Sequence, residues 1–368
     1  MRIAIIVGTR PQIIKTAPVI QEALKQRLEL EIIHTGQHYD YRLSQVFFEE
    51  FELPDPKVNL EVGSGSHAYQ TGEIMLRLEK YLLQNAYSLV LIPGDTNSAL
   101  AGALTSVKLG IPVAHIEAGA RCYDMRMVEE INRRLIDHCS QMLFAPTPNC
   151  KKNLEKESVT GEIYVTGDTM YDVFLKFEDK ADSSDILERL ELSDKEYGLL
   201  TLHRAENVDD PIRLKSILKG IQEAKTEIIF PIHPRTANRL REFNIPLNQS
   251  NIKPIEPVGY IDMLKLLKHA KLVLTDSGGL QKEAFWSKTP CITLRDSTEW
   301  LETVEAGVNQ IVGAEPNRIA QAIKEVEEKY EDIKEKFTNT TNPFGDGQAA
   351  RRIVEAIRSF IHNSKLKF

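Results

Sequence analysis

Arg2-Ile3-Ala4-Ile5-Ile6-Val7-Gly8 is a short apolar stretch that ends at a glycine. Such an uninterrupted run is typical of a strand that is buried on both faces of a parallel sheet. No small-residue cleavage site follows it, so the stretch predicts a first β-strand and not a signal peptide. Similar runs recur along the chain with helix-length segments between them, and this alternation predicts an α/β fold.

Strands are predicted in both halves of the chain. In the first half they span 2–8, 30–36, 89–95, 112–119, 141–147 and 163–168. In the second half they span 197–204, 227–234, 252–258, 272–279, 290–296 and 310–313. The intervening segments, such as 13–26 and 70–85, have apolar residues at helical spacing. We therefore expect two doubly wound, Rossmann-like parallel-sheet domains that face each other across a central cleft.

The charge-rich stretch 176–196 separates the two predicted halves. We expect an N-terminal domain over 1–172 and a second domain over 173–349. A basic amphipathic helix over 350–368 is expected to join the first domain. Its isoleucines at positions 353, 357 and 361 form an ordinary core stripe, which favours packing on the fold over binding to a membrane surface.

Composition excludes several classes of function. The 368 residues include 46 Lys and Arg against 53 Asp and Glu, and this net charge of −7 argues against nonspecific nucleic-acid binding. No apolar run is long enough to span a membrane. The four cysteines form no Cys-x-x-Cys pair and no cluster with metal spacing, so we expect a metal-free cytoplasmic enzyme. The sequence contains neither Gly-x-Gly-x-x-Gly nor a P-loop, so we expect no nicotinamide cofactor and no ATP hydrolysis.

Charged side chains follow the predicted strands at the edge where open parallel sheets bind ligands. The turn from Asp276 to Gly279 opens a helix, and the glycines Gly278 and Gly279 would let a phosphate approach free N–H groups. Glu283, one turn later, could accept the hydroxyls of a ribose. An ordinary capped helix start with Asp276 or Ser277 at its N-cap is the alternative. Arg10 and Lys15, which we expect to face the same cleft from the first domain, favour a diphosphate as the ligand because both can neutralise it.

Acid/base candidates are Asp95, Glu117, Glu129, Glu130 and His203. Asp95 and Glu117 end neighbouring strands, where burial and mutual repulsion could keep one of them protonated. Simpler roles are open for some of them: Asp95 could cap a helix, and Glu129 and Glu130 could complement a helix dipole. His203 at a strand end favours a ligand contact. We expect His115, inside an apolar strand, to be a core residue with satisfied hydrogen bonds.

Seven motifs follow one another along the chain: Gly8-Thr9-Arg10-Pro11 with Lys15, Gly94-Asp95-Thr96, His115-Ile116-Glu117-Ala118-Gly119 with Arg121, Glu129-Glu130-Ile131-Asn132-Arg133, His203-Arg204-x-Glu206-Asn207, Asp276-Ser277-Gly278-Gly279-x-Gln281-x-Glu283, and Asn342-Pro343-Phe344-Gly345-Asp346-Gly347. In this order they resemble the motifs of the non-hydrolysing UDP-N-acetylglucosamine 2-epimerases. The resemblance covers nearly the whole chain.

The resemblance implies the two-domain GT-B fold and the interconversion of UDP-N-acetylglucosamine and UDP-N-acetylmannosamine. Such enzymes eliminate UDP to give a 2-acetamidoglucal and then add UDP back, with the C2 proton delivered to the opposite face. The resemblance implies no redox cofactor and no metal. It also implies a homodimer and a role in the synthesis of surface polysaccharide.

By motif position the resemblance implies a role for each site residue. Asp95, Glu117 and Glu129 are the acid/base carboxylates, with His203 assisting near the diphosphate. Which carboxylate removes the proton is left open. The residues implied to bind the UDP-sugar are Arg10, Lys15, Arg133, Ser277, Gly278, Gly279 and Glu283.

One departure from the family pattern concerns the sugar. The usual Thr-Glu-Arg-Pro-Glu is Thr298-Glu299-Trp300-Leu301-Glu302 here, and similar Thr-Glu-Trp sequences occur in relatives that act on UDP-2,3-diacetamido-2,3-dideoxy-glucuronate. The same chemistry on that sugar is the first alternative. A GT-B glycosyltransferase, with the same fold and an acceptor site, is the second.

Overall fold

The computed structural model describes residues 2–37, 48–247 and 251–365. The chain divides into two compact units. The first comprises Met1–Val173 together with Pro343–Phe368, and the second comprises Phe174–Asn342. The last residues of the predicted C-terminal helix, 366–368, lie outside the described part.

A seven-stranded sheet forms the centre of the first unit, in the order β3-β2-β1-β4-β5-β6-β7. All of its pairings are parallel, and the strand order reverses direction between β1 and β4, as in a doubly wound fold. The strands are β1 Arg2–Val7, β2 Glu29–His34, β3 Val58–Asn59, β4 Leu89–Pro93, β5 Val113–Ile116, β6 Met142–Ala145 and β7 Glu162–Val165.

Helices connect these strands and one returns from the end of the chain. They are α1 Arg10–Lys25, α2 His67–Gln84, α3 Asn97–Lys108, α4 Val128–Cys139, α5 Pro148–Lys156, α6 Thr169–Asp182, which continues into the second unit, and α16 Ala349–Lys365. Pro11 stands in the first turn of α1, where its missing N–H costs no hydrogen bond. Thr96 caps α3 through its side chain, which accepts from the backbone N–H of Ala99.

The second unit repeats the plan with a six-stranded parallel sheet in the order β10-β9-β8-β11-β12-β13. Its strands are β8 Tyr197–Thr201, β9 Glu227–Pro231, β10 Ile252–Ile255, β11 Leu272–Thr275, β12 Cys291–Thr293 and β13 Asn309–Ile311. Its helices are α7 Ile186–Arg189, α8 Ala205–Val208, α9 Pro211–Gln222, α10 Pro234–Glu242, α11 Tyr260–His269, α12 Gly278–Trp286, α13 Leu301–Glu305, α14 Pro316–Glu328 and α15 Tyr330–Asn339.

The predicted fold class, two doubly wound parallel-sheet domains, is confirmed. The apolar runs that predicted the strands are the central layers of the two sheets; residues 3–7, for example, are buried throughout. The prediction of a strand over 112–119 was too long, because β5 ends at Ile116 and Glu117 has a positive φ of 73°. The two-residue strand β3 is too short to give a pattern, and it was missed.

Candidate active site

Two turns follow neighbouring strands of the first sheet and contain the predicted carboxylates. Gly94 and Asp95 come after β4, and Glu117 comes directly after β5, with which β4 pairs. Gly94 has a φ of 65° and donates its backbone N–H to the carbonyl of Ile116 at 3.0 Å. Because the two strands are parallel neighbours, their turns lie at one edge of the sheet.

Glu117 forms an ion pair with Lys15 of α1. Both side chains are largely shielded, at 12% and 14% exposure. A Cβ at Gly94 would lie 3.1 Å from Lys15 Nζ and 3.7 Å from Glu117 Oε2, so the glycine leaves room for the pair. The backbone of Glu117 is held in the left-handed region, which is costly for a residue with a side chain. The fold thus fixes this carboxylate beside a cation.

Asp95 is held by helix α4. Arg133 Nη2 donates to Asp95 Oδ2 at 2.5 Å, and Asn132 Nδ2 donates to the backbone carbonyl of Asp95 at 2.9 Å. Arg133 is buried, and its Nη1 lies 3.4 Å from Oε2 of Glu130, which is also buried. Arg133 therefore contacts Asp95, which the sequence analysis predicts to be a catalytic carboxylate. The predicted role of Arg133 in binding the substrate stays a prediction.

Glu129 and Arg10 lie at helix starts. Glu129 is half-buried in the first turn of α4, where its negative charge suits the helix dipole. Its neighbour Glu130 points inward and accepts the backbone N–H of Cys122 at 3.1 Å. Arg10 is the first residue of α1 and is exposed.

A buried charged network lies beneath these turns. His115 in β5 lies with Nδ1 2.6 Å from Asp137 Oδ1 and with Nε2 2.9 Å from the carbonyl of Gly94, so the prediction of a buried, hydrogen-bonded histidine is confirmed. Asp137 also contacts Arg121, which pairs with Glu157. Burial alone would raise the pKa of Asp137, but the neighbouring His115 ring and the Arg121 guanidinium hold that pKa below its ordinary value.

One pattern in the sequence indicates this network. Glu130, Arg133 and Asp137 are buried on α4 at three- and four-residue spacing, on the face where a packed helix normally has apolar residues. A polar stripe on the buried face of a helix indicates a polar site beneath it. Asp137 and Asn132 were missed as single residues because neither lies at the end of a strand.

In the second unit, Asp276 organises the turns after β8 and β11. It is fully buried and accepts the backbone N–H groups of His203 at 3.1 Å and Arg204 at 2.9 Å. The Nδ1 of His203 lies 3.2 Å from Asp276 Oδ1, while the rest of the ring is partly open at 40% exposure. The His233 ring lies 5.8 Å from it, centroid to centroid. His203 therefore presents an oriented imidazole at the carboxyl edge of this sheet.

The adjacent turn begins α12. Ser277 caps the helix by accepting the backbone N–H of Leu280 at 3.3 Å, so the structural alternative considered for this serine holds. A Cβ at Gly278 would lie 3.5 Å from Trp300 Nε1 and 3.7 Å from Glu299 Oε2. Glu283 is buried one turn into the helix. The open backbone at Gly278 and Gly279 remains suited to a phosphate.

Among residues 2–37, 48–247 and 251–365, no group of three or more His, Cys, Asp or Glu side chains is arranged to hold a metal ion. In the same part of the chain, no helix has the length and apolar character needed to cross a membrane.

Comparison with known proteins identifies the family. A model of the family described as UDP-N-acetylglucosamine 2-epimerase matches residues 22–358. The chain belongs to this family. The resemblance inferred from the seven motifs is thereby confirmed.

Two relatives in this family illustrate its range. A UDP-N-acetylglucosamine 2-epimerase of Methanocaldococcus jannaschii is 47% identical, with 97% of this chain and 99% of the relative covered. A UDP-2,3-diacetamido-2,3-dideoxy-D-glucuronate 2-epimerase of Pseudomonas aeruginosa is 42% identical, with 96% and 99% covered. The crystal structure of the M. jannaschii protein in complex with UDP-GlcNAc and UDP matches with a TM-score of 0.89 at 47% identity, covering 98% of this chain and all of that one.

Proposed function

We propose that this chain is a non-hydrolysing epimerase that interconverts UDP-N-acetylglucosamine and UDP-N-acetylmannosamine. One observation carries the proposal: in a chain of the 2-epimerase family, Asp95 and Glu117 follow two neighbouring strands and each is paired with a buried or shielded cation. Two fixed carboxylates at one sheet edge provide the groups needed to move a proton on a bound sugar. The 47% identity to a relative of that name supports the choice of sugar.

The proposed reaction has two halves that balance each other. In the first, a carboxylate takes the proton from C2, the C–H electrons form the C1–C2 double bond, and the C1–O bond breaks to release UDP. In the second, UDP oxygen attacks C1 of the 2-acetamidoglucal while an acid delivers a proton to the opposite face of C2. No step of this scheme transfers a hydride or an electron to another molecule, so the scheme requires no redox cofactor.

The residue roles follow the sequence predictions. We assign acid/base work to Asp95, Glu117 and Glu129, with His203 assisting the departing diphosphate. Residues 1–172 with 350–368 would then supply the carboxylates, and 173–349 would supply the UDP-binding turn. The residues assigned to binding the UDP-sugar are Arg10, Lys15, Arg133, Ser277, Gly278, Gly279 and Glu283.

A second candidate keeps the chemistry and changes the sugar to UDP-2,3-diacetamido-2,3-dideoxy-glucuronate. Trp300 favours it, because this residue stands where the family pattern has an arginine and lies beside the Gly278 turn. The P. aeruginosa relative with that activity is 42% identical. A comparison of the two sugars as substrates discriminates the candidates.

We also propose a cytoplasmic homodimer. All four cysteines lie in the described residues and none forms a disulfide, which is usual in a reducing compartment. Tyr69, Leu76 and Leu83 recur every two turns of α2, and Leu76 and Leu83 are 65% and 71% exposed. Such a stripe is typical of an interface between copies. Light scattering on the purified chain tests this assembly.

Proton NMR of the protein with UDP-N-acetylglucosamine in heavy water tests the proposed function. We expect a new anomeric signal of UDP-N-acetylmannosamine, deuterium at C2 and little free UDP. The variant Glu117→Gln should show no anomeric signal of UDP-N-acetylmannosamine and no deuterium at C2, and it should still bind UDP. If UDP-N-acetylglucosamine stays unchanged, the same experiment is run with UDP-2,3-diacetamido-2,3-dideoxy-glucuronate. Turnover of that sugar supports the second candidate. Release of UDP only when an acceptor is added indicates a glycosyltransferase.

A further inference from the structure

His115 faces a hydrogen-bond acceptor at each of its ring nitrogens. Nδ1 lies 2.6 Å from Asp137 Oδ1, and Nε2 lies 2.9 Å from the backbone carbonyl of Gly94. A carbonyl oxygen can only accept, so Nε2 must donate a proton to it. The ring is fully buried, and water cannot replace either partner.

Asp137 contacts His115 through Oδ1, and its other oxygen, Oδ2, faces two hydrogen-bond donors. Arg121 Nη2 lies 2.7 Å from Oδ2, and the backbone N–H of Gly119 donates to the same oxygen at 3.1 Å. A guanidinium and an N–H group both favour the ionised carboxylate. An ionised Asp137 leaves Nδ1 of His115 as the donor, so both ring nitrogens need a proton.

We propose that His115 is a buried imidazolium that positions the turn bearing Asp95, a role that rests on the proposed epimerase function. The charged groups that face it from the neighbouring elements balance: Asp137 from α4, Arg121 from the segment after Glu117, and Glu157 after α5, which pairs with Arg121 at 2.8 Å. The buried His115 ring and Arg121 are thus compensated by Asp137 and Glu157, as buried ionic groups require. At the rim of the network, Glu157 also lies 3.4 Å from the half-buried Arg134 and 3.8 Å from the exposed His138.

The ring fixes both turns of the candidate site. Gly94 is held at its N–H by Ile116 and at its carbonyl by His115, and Asp95 is the next residue. Through Asp137 the same ring is linked to the N–H of Gly119, two residues after Glu117. His115 thus acts through the backbone and contacts no reacting atom in this scheme; it is a positioning residue.

Nitrogen-15 NMR of the ring in the full-length wild-type chain tests the protonation state. We expect both nitrogens of His115 to show N–H character at neutral pH, because each nitrogen faces a hydrogen-bond acceptor. The exposed His362 on α16 provides the reference for a ring in water. A signal typical of an unprotonated nitrogen at either position overturns the proposal.

Two substitutions test the positioning role. His115→Gln can present an amide N–H where Nε2 stands and keep the bond to Gly94, whereas His115→Asn can reach only toward Asp137. We expect kcat to fall about 100-fold in the Asn variant, because small displacements of catalytic groups cost that much, and by less than about tenfold in the Gln variant. KM should change little in both. Equal losses of kcat in two folded variants contradict positioning through Gly94.

Controls separate this proposal from the proposed function. His362→Gln should leave kcat and KM unchanged, and circular dichroism checks that each variant folds. Should neither His115 variant fold, the wild-type ring measurement still decides, because it requires the proton directed at Gly94. If neither sugar is turned over but the ring carries a proton on both nitrogens, the proposed function is wrong and the proposal of a buried imidazolium is supported. If the enzyme is active but the ring is neutral, the proposed function is supported and the imidazolium proposal is wrong.

Discussion

At the scale of single residues, Lys15 links the electrostatics of the site to its chemistry. Its ammonium pairs with Glu117 in a position where little water reaches either group. We predict that Lys15→Met lowers kcat/KM roughly 100-fold, the usual loss when one preorganised charged donor is removed, and that Lys15→Arg loses less. Steady-state epimerisation rates measure this effect.

The control for Lys15 lies on the same helix. Lys25, at the end of α1, is 79% exposed, so Lys25→Met should leave the rates unchanged. Equal rates for wild type and Lys15→Met would show that the ion pair with Glu117 has no part in turnover.

Gly278 permits a second prediction at this scale. Its φ is not in the left-handed region, and an added Cβ would meet Trp300 and Glu299 at ordinary contact distances, so Gly278→Ala should fold. Its methyl group would occupy the space that a phosphate needs beside the helix start. We expect UDP to bind roughly tenfold more weakly, as for one misplaced methyl group in a binding pocket, measured by calorimetry.

Gly72 in α2 provides the matched control for that measurement. A Cβ there meets nothing within 4 Å, so Gly72→Ala should bind UDP like the wild type. Unchanged UDP affinity in Gly278→Ala would remove this turn from the proposed binding site.

At the scale of elements, helix α4 places two adjacent glutamates, Glu129 and Glu130, in different surroundings. Glu129 is half-buried, whereas Glu130 is buried beside Arg133 and accepts the N–H of Cys122. We predict that Glu129→Gln abolishes epimerisation without a change in thermal stability. Glu130→Gln should instead lower the free energy of unfolding by about 1–3 kcal/mol, because it weakens a buried charged hydrogen bond. Full activity in Glu129→Gln would leave only the helix-dipole explanation for that residue.

The sequence predicted the strands and helices better than it predicted the contacts between them. Strands buried on both faces must be apolar, so continuous runs such as 2–8 identify them. The turn at Glu117 could not be predicted from an apolar pattern, since only its positive φ ends the strand. The partners of Asp95 and Glu117, Arg133 and Lys15, come from helices distant in sequence, and no local spacing indicates those pairs.

At the scale of the whole molecule, the order of motifs was sufficient to infer the family, and five of the seven motifs lie at the carboxyl ends of strands β1, β4, β5, β8 and β11. The sequence predicted that a helix over 350–368 joins the first domain, but it did not indicate which contact holds that helix in place. In the structure, Asp172 on α6 accepts the backbone N–H groups of Ala349 at 3.1 Å and Ala350 at 2.8 Å, the first residues of α16. A carboxylate therefore caps the helix that closes the first unit.

Asp172 makes this closure sensitive to pH. Burial raises the pKa of its carboxyl from 3.8 to about 6, although the two N–H groups oppose the change. A folded-state pKa above the unfolded value means that the folded chain holds the proton more tightly, so this group's contribution to stability is greatest below about pH 4 and is lost as the pH rises through about 6.

We predict that Asp172→Asn removes this pH dependence, so that the difference in unfolding free energy between wild type and variant falls across that interval. Urea unfolding at a series of pH values measures it, with Asp179→Asn on the same helix as the control. A difference that stays constant with pH would show that the carboxyl of Asp172 does not titrate in this interval in the folded protein.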